Sequence, residues 1–69
     1  MNIILSERMR LGMDQKALAD SVGVSVATVS RWDRGLKVPS GEELVRLHEI
    51  FNCSVDYLLG LTQNRKPRN

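Results

Sequence analysis

Apolar side chains recur every three or four positions along this chain, in short stretches separated by glycine or asparagine. This spacing places them on one face of a helix, so each stretch predicts an amphipathic helix. The positions that set the pattern are Ile4, Leu5, Leu11, Leu18, Ala19, Val22, Val29, Trp32, Leu44, Leu47, Phe51, Val55, Leu58 and Leu59. Outside these helices we find no alternation that predicts a strand, so an all-α fold is expected.

Residues that suit helix termini mark where each predicted helix begins and ends. Asp14, Ser25 and Ser54 carry side-chain oxygens that can cap backbone N–H groups. Ser40 and Glu43 have the spacing of a capping box. Residues that tolerate positive φ follow the helices at Gly12, Gly23, Gly35, Asn52 and Gly60. The sequence therefore predicts helices over residues 2–11, 15–22, 26–34, 41–51 and 55–59.

The predicted fold is a compact domain of five helices over residues 1–61, in which helices 2 and 3 form a helix-turn-helix. Its expected core contains Leu18, Val22, Val29, Trp32, Leu44, Leu47 and Leu58. Residues 62–69 are expected to form a basic, disordered tail, because the ring of Pro67 is their one apolar group. In that tail Arg65, Lys66 and Arg68 are expected to be mobile when no partner is bound.

Length and composition exclude several functional classes. The chain has 69 residues, one histidine and one cysteine. It therefore forms no internal disulfide and has too few ligands for a structural zinc site, and no cofactor or metal is expected. With no clustered carboxylates either, it lacks a nucleophile–base pair, so an enzyme is not expected.

The single cysteine and histidine each have a structural and a functional interpretation. Cys53 is expected to be a small buried hydrophobe, and the alternative is a redox switch. His48 is expected to be half-buried and hydrogen-bonded, and the alternative is a pH sensor. We expect a cytoplasmic protein with no membrane partner for three reasons. The chain has a single thiol, residues 1–15 contain no apolar stretch typical of a signal peptide, and no apolar run is long enough to span a membrane.

Charge is unevenly distributed along the chain. The formal net charge is +2 in total, but residues 23–41 carry three bases and one acid. Residues 42–61 carry one base and four acids, and residues 62–69 carry three bases and no acid. A surface for a polyanion is therefore expected in the middle of the chain.

The segment from Gln15 to Arg34 has the features of a helix-turn-helix. Such a motif needs a short turn with positive φ and apolar contacts that lock two helices at a steep angle. Gly23 suits the turn, and Ala19 is small enough for a close helix approach. The locking positions are Leu18, Val22, Val24, Val29 and Trp32.

Residues that resemble the pattern of a known family extend over all five predicted helices. They are Arg8, Gly12-Met13-Asp14-Gln15, Leu18-Ala19, Val22-Gly23-Val24-Ser25, Thr28-Val29-Ser30-Arg31-Trp32-Asp33-Arg34-Gly35, Pro39-Ser40, Leu44, Leu47 and Ser54-Val55-Asp56-Tyr57-Leu58-Leu59-Gly60. Over residues 4–60 the chain resembles the lambda-type phage repressor and Cro proteins, also called the XRE family. The resemblance implies a bacterial or phage transcriptional regulator, expected to be a repressor, whose third helix enters the major groove of double-stranded DNA.

The resemblance also implies roles for individual residues. Gln15 corresponds to a family glutamine that bonds a DNA phosphate, although it can also be read as a plain polar residue of the first turn. Arg8 corresponds to an arginine that pairs with an acid at the end of helix 3, here Asp33. Ser25 caps helix 3 and is expected to touch phosphate. Trp32 is expected to anchor the core rather than stack on DNA.

The outward face of helix 3 is expected to read the DNA. Arg31 can bond guanine O6 and N7 together, with a solvated charge or a phosphate contact as alternatives. Val26 and Ala27 suit the thymine methyl group, unless they are ordinary exposed apolar residues. Arg34 and Lys37 are expected to contact phosphate. The full set of predicted DNA contacts is Gln15, Ser25, Val26, Ala27, Thr28, Ser30, Arg31, Arg34 and Lys37.

Two partner arrangements follow from so small a domain. One copy makes few base contacts, so a homodimer on an inverted repeat is expected, with helix 5 as the dimer surface through Val55, Tyr57 and Leu59. The alternative function is a protein-interaction module, such as an antitoxin or a partner-controlled regulator. Its partner would bind helix 5 or the tail.

Overall fold

Five helices are present in residues 2–65, the part of the chain that the computed structural model describes. They are α1 (Ile3–Arg10), α2 (Gln15–Val22), α3 (Val26–Asp33), α4 (Gly41–Phe51) and α5 (Val55–Leu58). Residues 2–65 contain no strand, and the predicted all-α class is confirmed. No helix in this range has the length and apolar character needed to cross a membrane.

Every helix begins at a polar side chain that accepts a bond from the backbone N–H three residues further on. The predicted caps that do so are Asp14, Ser25, Ser40 and Ser54. Glu43 completes the capping box of α4. Asn2 caps α1 in the same way, and its amide also donates to the carbonyl of Trp32 in α3. The start of α1 is thereby tied to α3.

Helices α1 to α4 and the turn after α4 enclose one core. Its buried apolar residues are Ile4, Leu18, Ala19, Val22, Val29, Trp32, Leu47, Phe51 and Cys53. Two residues predicted for the core, Leu44 and Leu58, are only half-buried. Because α5 is a single turn, it cannot close the core at this end. A groove of about 300 Å³ remains there, lined by both leucines.

An ion cluster around one buried carboxylate joins α1 to the end of the described chain. The carboxylate of Glu7 is nearly inaccessible and accepts hydrogen bonds from the guanidinium groups of Arg10 (3.0 Å) and Arg65 (2.5 Å). Both groups also donate to the carbonyl of Phe51, the last residue of α4. Burial raises the pKa of the Glu7 carboxyl, but the two arginines outweigh it, and the pKa is lowered overall.

The sequence did not predict these contacts of Arg65. Its segment lacks an apolar anchor, yet its guanidinium reaches a buried carboxylate on α1. Its carbonyl also accepts a bond from the backbone N–H of Ser54 (2.9 Å). Lys66 and Arg68, for which the same mobility was predicted, lie outside the described residues.

Cys53 and His48 lie side by side at the end of α4. Cys53 is fully buried, which confirms the prediction of a small buried hydrophobe. Burial raises the pKa of its thiol and so disfavours the thiolate that redox chemistry needs. His48 is half-buried, with Nδ1 3.3 Å from the carbonyl oxygen of Cys53. This is the hydrogen-bonded environment that the sequence favours.

Candidate nucleic-acid interface

The turn between α2 and α3 is built on a left-handed residue. The α2 helix starts behind Asp14, whose carboxylate accepts from the N–H of Ala17 (2.7 Å). It ends at Gly23, where φ is +84°. The N–H groups of Gly23 and Val24 both bond the carbonyl of Ala19, which reverses the chain within two residues. Thus α2 ends at this turn, and α3 begins three residues later and packs into the same core.

The start of α3 presents hydroxyl groups and free backbone N–H groups. Ser25 Oγ accepts from the N–H of Thr28 (3.1 Å) and lies 3.0 Å from Thr28 Oγ1. A helix N-terminus carries a partial positive charge and unpaired N–H donors, which suit an anion. This end of α3 can therefore hold a phosphate oxygen.

The outward face of α3 is partly apolar and partly cationic. Val26, Ala27 and Arg31 are exposed, while Thr28 and Ser30 are half-buried beside them. Within residues 2–65, the guanidinium of Arg31 has no hydrogen-bond or ion-pair partner. Periodicity places these side chains on one face, and a helix of this size fits the major groove.

Two more basic residues lie at the far end of α3 and in the loop that follows. Arg34 is exposed, and its Nε donates to the carbonyl of Ser30 in the same helix (3.3 Å). Lys37 is exposed and, within the described range, its ammonium has no partner. Together with Arg31 they make this end of the motif positively charged, since the nearby acid Asp33 is neutralised by an arginine.

That arginine is Arg8 of α1. Its Nη2 lies 2.7 Å from Asp33 Oδ2, and both side chains are almost fully buried. Its Nη1 donates to the carbonyl of Met13 in the turn before α2 (2.8 Å). The pairing implied by the family resemblance is therefore present in the structure.

Gln15 has a contact that the sequence did not predict. Its Nε2 donates to the same oxygen of Asp33 (2.9 Å), which brings the start of α2 against the end of α3. The two residues are 18 positions apart and follow no helical spacing. No local signal could have revealed the pair.

Arg46 also contributes to the motif from outside it. Its Nη1 donates to the carbonyl of Val22, the last residue of α2 (3.1 Å). A cation at a helix C-terminus satisfies an unpaired carbonyl and complements the helix dipole. The sequence did not predict this role for Arg46. The one feature that could have indicated it is that Arg46 is the single basic residue in an otherwise acidic segment.

No group of three or more His, Cys, Asp or Glu side chains in residues 2–65 is arranged to hold a metal ion. What the site offers is a helix face and a set of cations. The chemistry available to it is hydrogen bonding, charge pairing and apolar contact.

The sequence of this chain is similar to those of known proteins. Residues 4–58 match the helix-turn-helix family. Repressor protein C2 of Salmonella phage P22 is 43% identical over 56 residues, covering 81% of this chain and 26% of that protein. The HTH-type transcriptional regulator DicA of Escherichia coli K12 is 31% identical over 71 aligned positions, covering 96% of this chain and 53% of that protein. The chain thus spans between about a quarter and about half of the length of these relatives.

Solved structures share the fold. The crystal structure of the P22 c2 repressor in complex with synthetic operator 9T superposes with a TM-score of 0.80 at 41% identity, covering 86% of this chain and 89% of that one. The NMR structure of the DNA-binding domain of the P22 c2 repressor gives a TM-score of 0.75 at 41% identity, covering 90% and 84%. The first of these structures is of a protein bound to operator DNA.

Proposed function

Because this chain belongs to the helix-turn-helix family, we propose that it is a transcriptional repressor that binds operator DNA sequence-specifically through the major groove. The outward face of α3 carries the proposal, since its exposed apolar and cationic side chains suit base edges. The similarity to the P22 repressor supports it. Such a function belongs in the cytoplasm, where a bacterial or phage operator is found.

Base recognition falls to three residues in this proposal. Arg31 bonds a guanine edge, because its guanidinium is exposed and uses none of its donors within the described range. Val26 and Ala27 contact thymine methyl groups at the exposed start of the helix. Sequence preference therefore comes from the first and middle turns of α3.

Contacts to the DNA backbone position the helix. Arg34 and Lys37 pair with phosphates from the end of α3 and the following loop, and their charge makes binding salt-dependent. Gln15 and Ser25 donate to phosphates from the starts of α2 and α3. Thr28 and Ser30 line the edge of the same surface.

We further propose that a second copy of the chain binds at α5. Of the residues predicted for this surface, Leu59 is 46% exposed, while Val55 and Tyr57 are half-buried. Leu61, two residues further on, and Val38 across the groove are each 73% exposed. An apolar surface of this kind next to a single-turn helix suits a dimer contact. Two copies then read half-sites about 34–36 Å apart.

Selection of bound duplexes from a random pool tests the function. We expect an inverted repeat with half-sites one or two helical turns apart and guanine at a fixed position in each half. A single unrepeated half-site would contradict the dimer and leave DNA binding intact. A pool that shows no enrichment would contradict the proposed function.

A further inference from the structure

Asp33 links the buried part of the fold to the proposed DNA surface. Its Oδ2 accepts hydrogen bonds from both Arg8 Nη2 (2.7 Å) and Gln15 Nε2 (2.9 Å). We infer that Asp33 is a positioning residue for DNA binding, which holds the amide of Gln15 ready to donate to a phosphate. This inference rests on the phosphate contact proposed above for Gln15.

The chemistry of the two side chains fixes the orientation of the amide. A carboxylate can only accept, so the amide nitrogen of Gln15 must face Asp33 and its oxygen must face the other way. One N–H of Nε2 is then engaged, and the second N–H of the same nitrogen is left for an outside acceptor. A free glutamine side chain samples many rotamers and must be ordered on binding. The bond to Asp33 already orders part of the Gln15 side chain in the unbound protein, so less conformational entropy is lost when DNA binds.

Arg8 makes this arrangement compatible with DNA. An unpaired carboxylate next to a phosphate would repel it, but the guanidinium of Arg8 neutralises Asp33. Arg8 is itself anchored to the carbonyl of Met13. Donors from α1 and α2 therefore meet on one carboxylate at the end of α3. The position of the Gln15 amide depends on the packing of all three helices.

A double-mutant cycle on DNA affinity tests the coupling. Gln15→Ala is measured by fluorescence anisotropy in the native protein and in an Arg8→Met, Asp33→Leu background. That background replaces the buried ion pair by apolar side chains, a change that folds tolerate. We expect Gln15→Ala to weaken operator binding about tenfold in the native protein, as for one charge-assisted hydrogen bond. In the replaced background we expect less than about twofold.

Two controls separate positioning from a general structural effect. Lys16 lies in the same turn of α2, is exposed, and pairs with Asp20 (3.0 Å). Lys16→Ala must therefore change the Kd by the same factor in both backgrounds. Thermal unfolding followed by circular dichroism reports whether each background is folded. If the double replacement does not fold, Asp33→Ala serves instead, because it removes the oxygen that accepts from Gln15 Nε2. The effect of Gln15→Ala must then fall below its native value.

The outcomes distinguish this inference from the proposal beneath it. An equal tenfold loss in both backgrounds would overturn the role of Asp33 and leave the Gln15 contact standing. No loss in either background would overturn the Gln15 contact and this inference together. The operator affinity of the unmodified protein still reports on the proposed function in both cases.

Discussion

Side chains of the helix-turn-helix differ in whether the fold already uses their hydrogen-bonding groups. The carboxylate of Asp33 is engaged by two donors, while the guanidinium of Arg31 has no partner within residues 2–65. A guanidinium that is free in the unbound protein can bond a base edge without first losing a protein contact. Helical periodicity was enough to predict that Arg31 faces outward. It could not predict the bond between Gln15 and Asp33, because tertiary contacts between different helices leave no local spacing.

Replacement of Arg31 separates base reading from charge attraction. We expect Arg31→Ala to lose about 1–3 kcal/mol of discrimination at one base pair. The measurement compares the Kd for the selected operator with the Kd for single-base variants and random duplex. Equal weakening on all sequences would contradict a base-reading role.

Lys37→Ala is the matched charge-removing control. Lys37 is exposed in the loop after α3, where we propose a phosphate contact. Its loss should weaken binding to every sequence alike and reduce the magnitude of the salt slope by about one.

Among the features of the secondary-structure elements, helix boundaries were predicted best from the sequence, because a capping side chain bonds a backbone N–H only three residues away. The side chains of Asp14 and Ser40 cap their helices as the sequence indicates. Burial was harder to predict. Leu44 has the spacing of a core residue, yet α5 is too short to cover it and it lines the groove instead. Periodicity gives the inward face of a helix but not what lies opposite that face.

The turn of the motif depends on a single left-handed residue. Gly23 has φ +84°, and the nearest atom to an added Cβ would be 3.9 Å away. An alanine there meets no clash, so its effect is backbone strain alone. We expect Gly23→Ala to lower the free energy of unfolding by about 1–2 kcal/mol in urea denaturation.

Gly41 provides the comparison. It lies at the first position of α4, its φ is not positive, and an added Cβ would touch nothing within 4 Å. Gly41→Ala should therefore stabilise the protein by about 0.4–1 kcal/mol. A similar loss in both variants would contradict a special role for the turn.

At the scale of the whole molecule, both ends of the described chain are tied to the helices. Asn2 bonds α3, and Arg65 bonds Glu7 of α1. The Arg65 contact thereby holds the end of the described segment after α5 against α1. Composition predicted a free basic segment here. It could not reveal a buried carboxylate 58 positions away.

The Arg65 contact predicts a pH-dependent contribution to stability. The lowered pKa of Glu7 means that its ion pairs stabilise the fold above the unfolded-state pKa, and that this is lost as pH falls through the folded-state pKa. We expect Arg65→Ala to reduce the free energy of unfolding by about 1 kcal/mol near neutral pH, since Arg65 is about a third exposed and Arg10 remains. The difference from the native protein should shrink below about pH 4.

The exposed pair of Lys16 and Asp20 is the control for that experiment. Both side chains are largely solvent-accessible. Lys16→Ala should change stability by less than about 0.5 kcal/mol at either pH. A difference between native and Arg65→Ala protein that stays constant down to low pH would contradict the role of Glu7.

The proposed dimer contact is tested by one charge placed at the C-cap of α5. Leu59→Lys should abolish cooperative binding to the inverted repeat while binding to one half-site is retained. Met9→Lys is the control, because Met9 is also exposed and apolar but does not line the groove. Analytical ultracentrifugation on the full operator counts the bound copies. Loss of a copurifying second protein, rather than of the dimer, would favour the protein-interaction alternative.

The most direct test of DNA binding through α3 is an NMR titration of the ¹⁵N-labelled chain with the selected operator duplex. We expect the largest amide shifts at Gln15 and over residues 25–37, with smaller shifts at α5 where the second copy binds. If residues 25–34 stay unshifted while the groove around Leu44 and Leu58 responds, α3 does not read DNA.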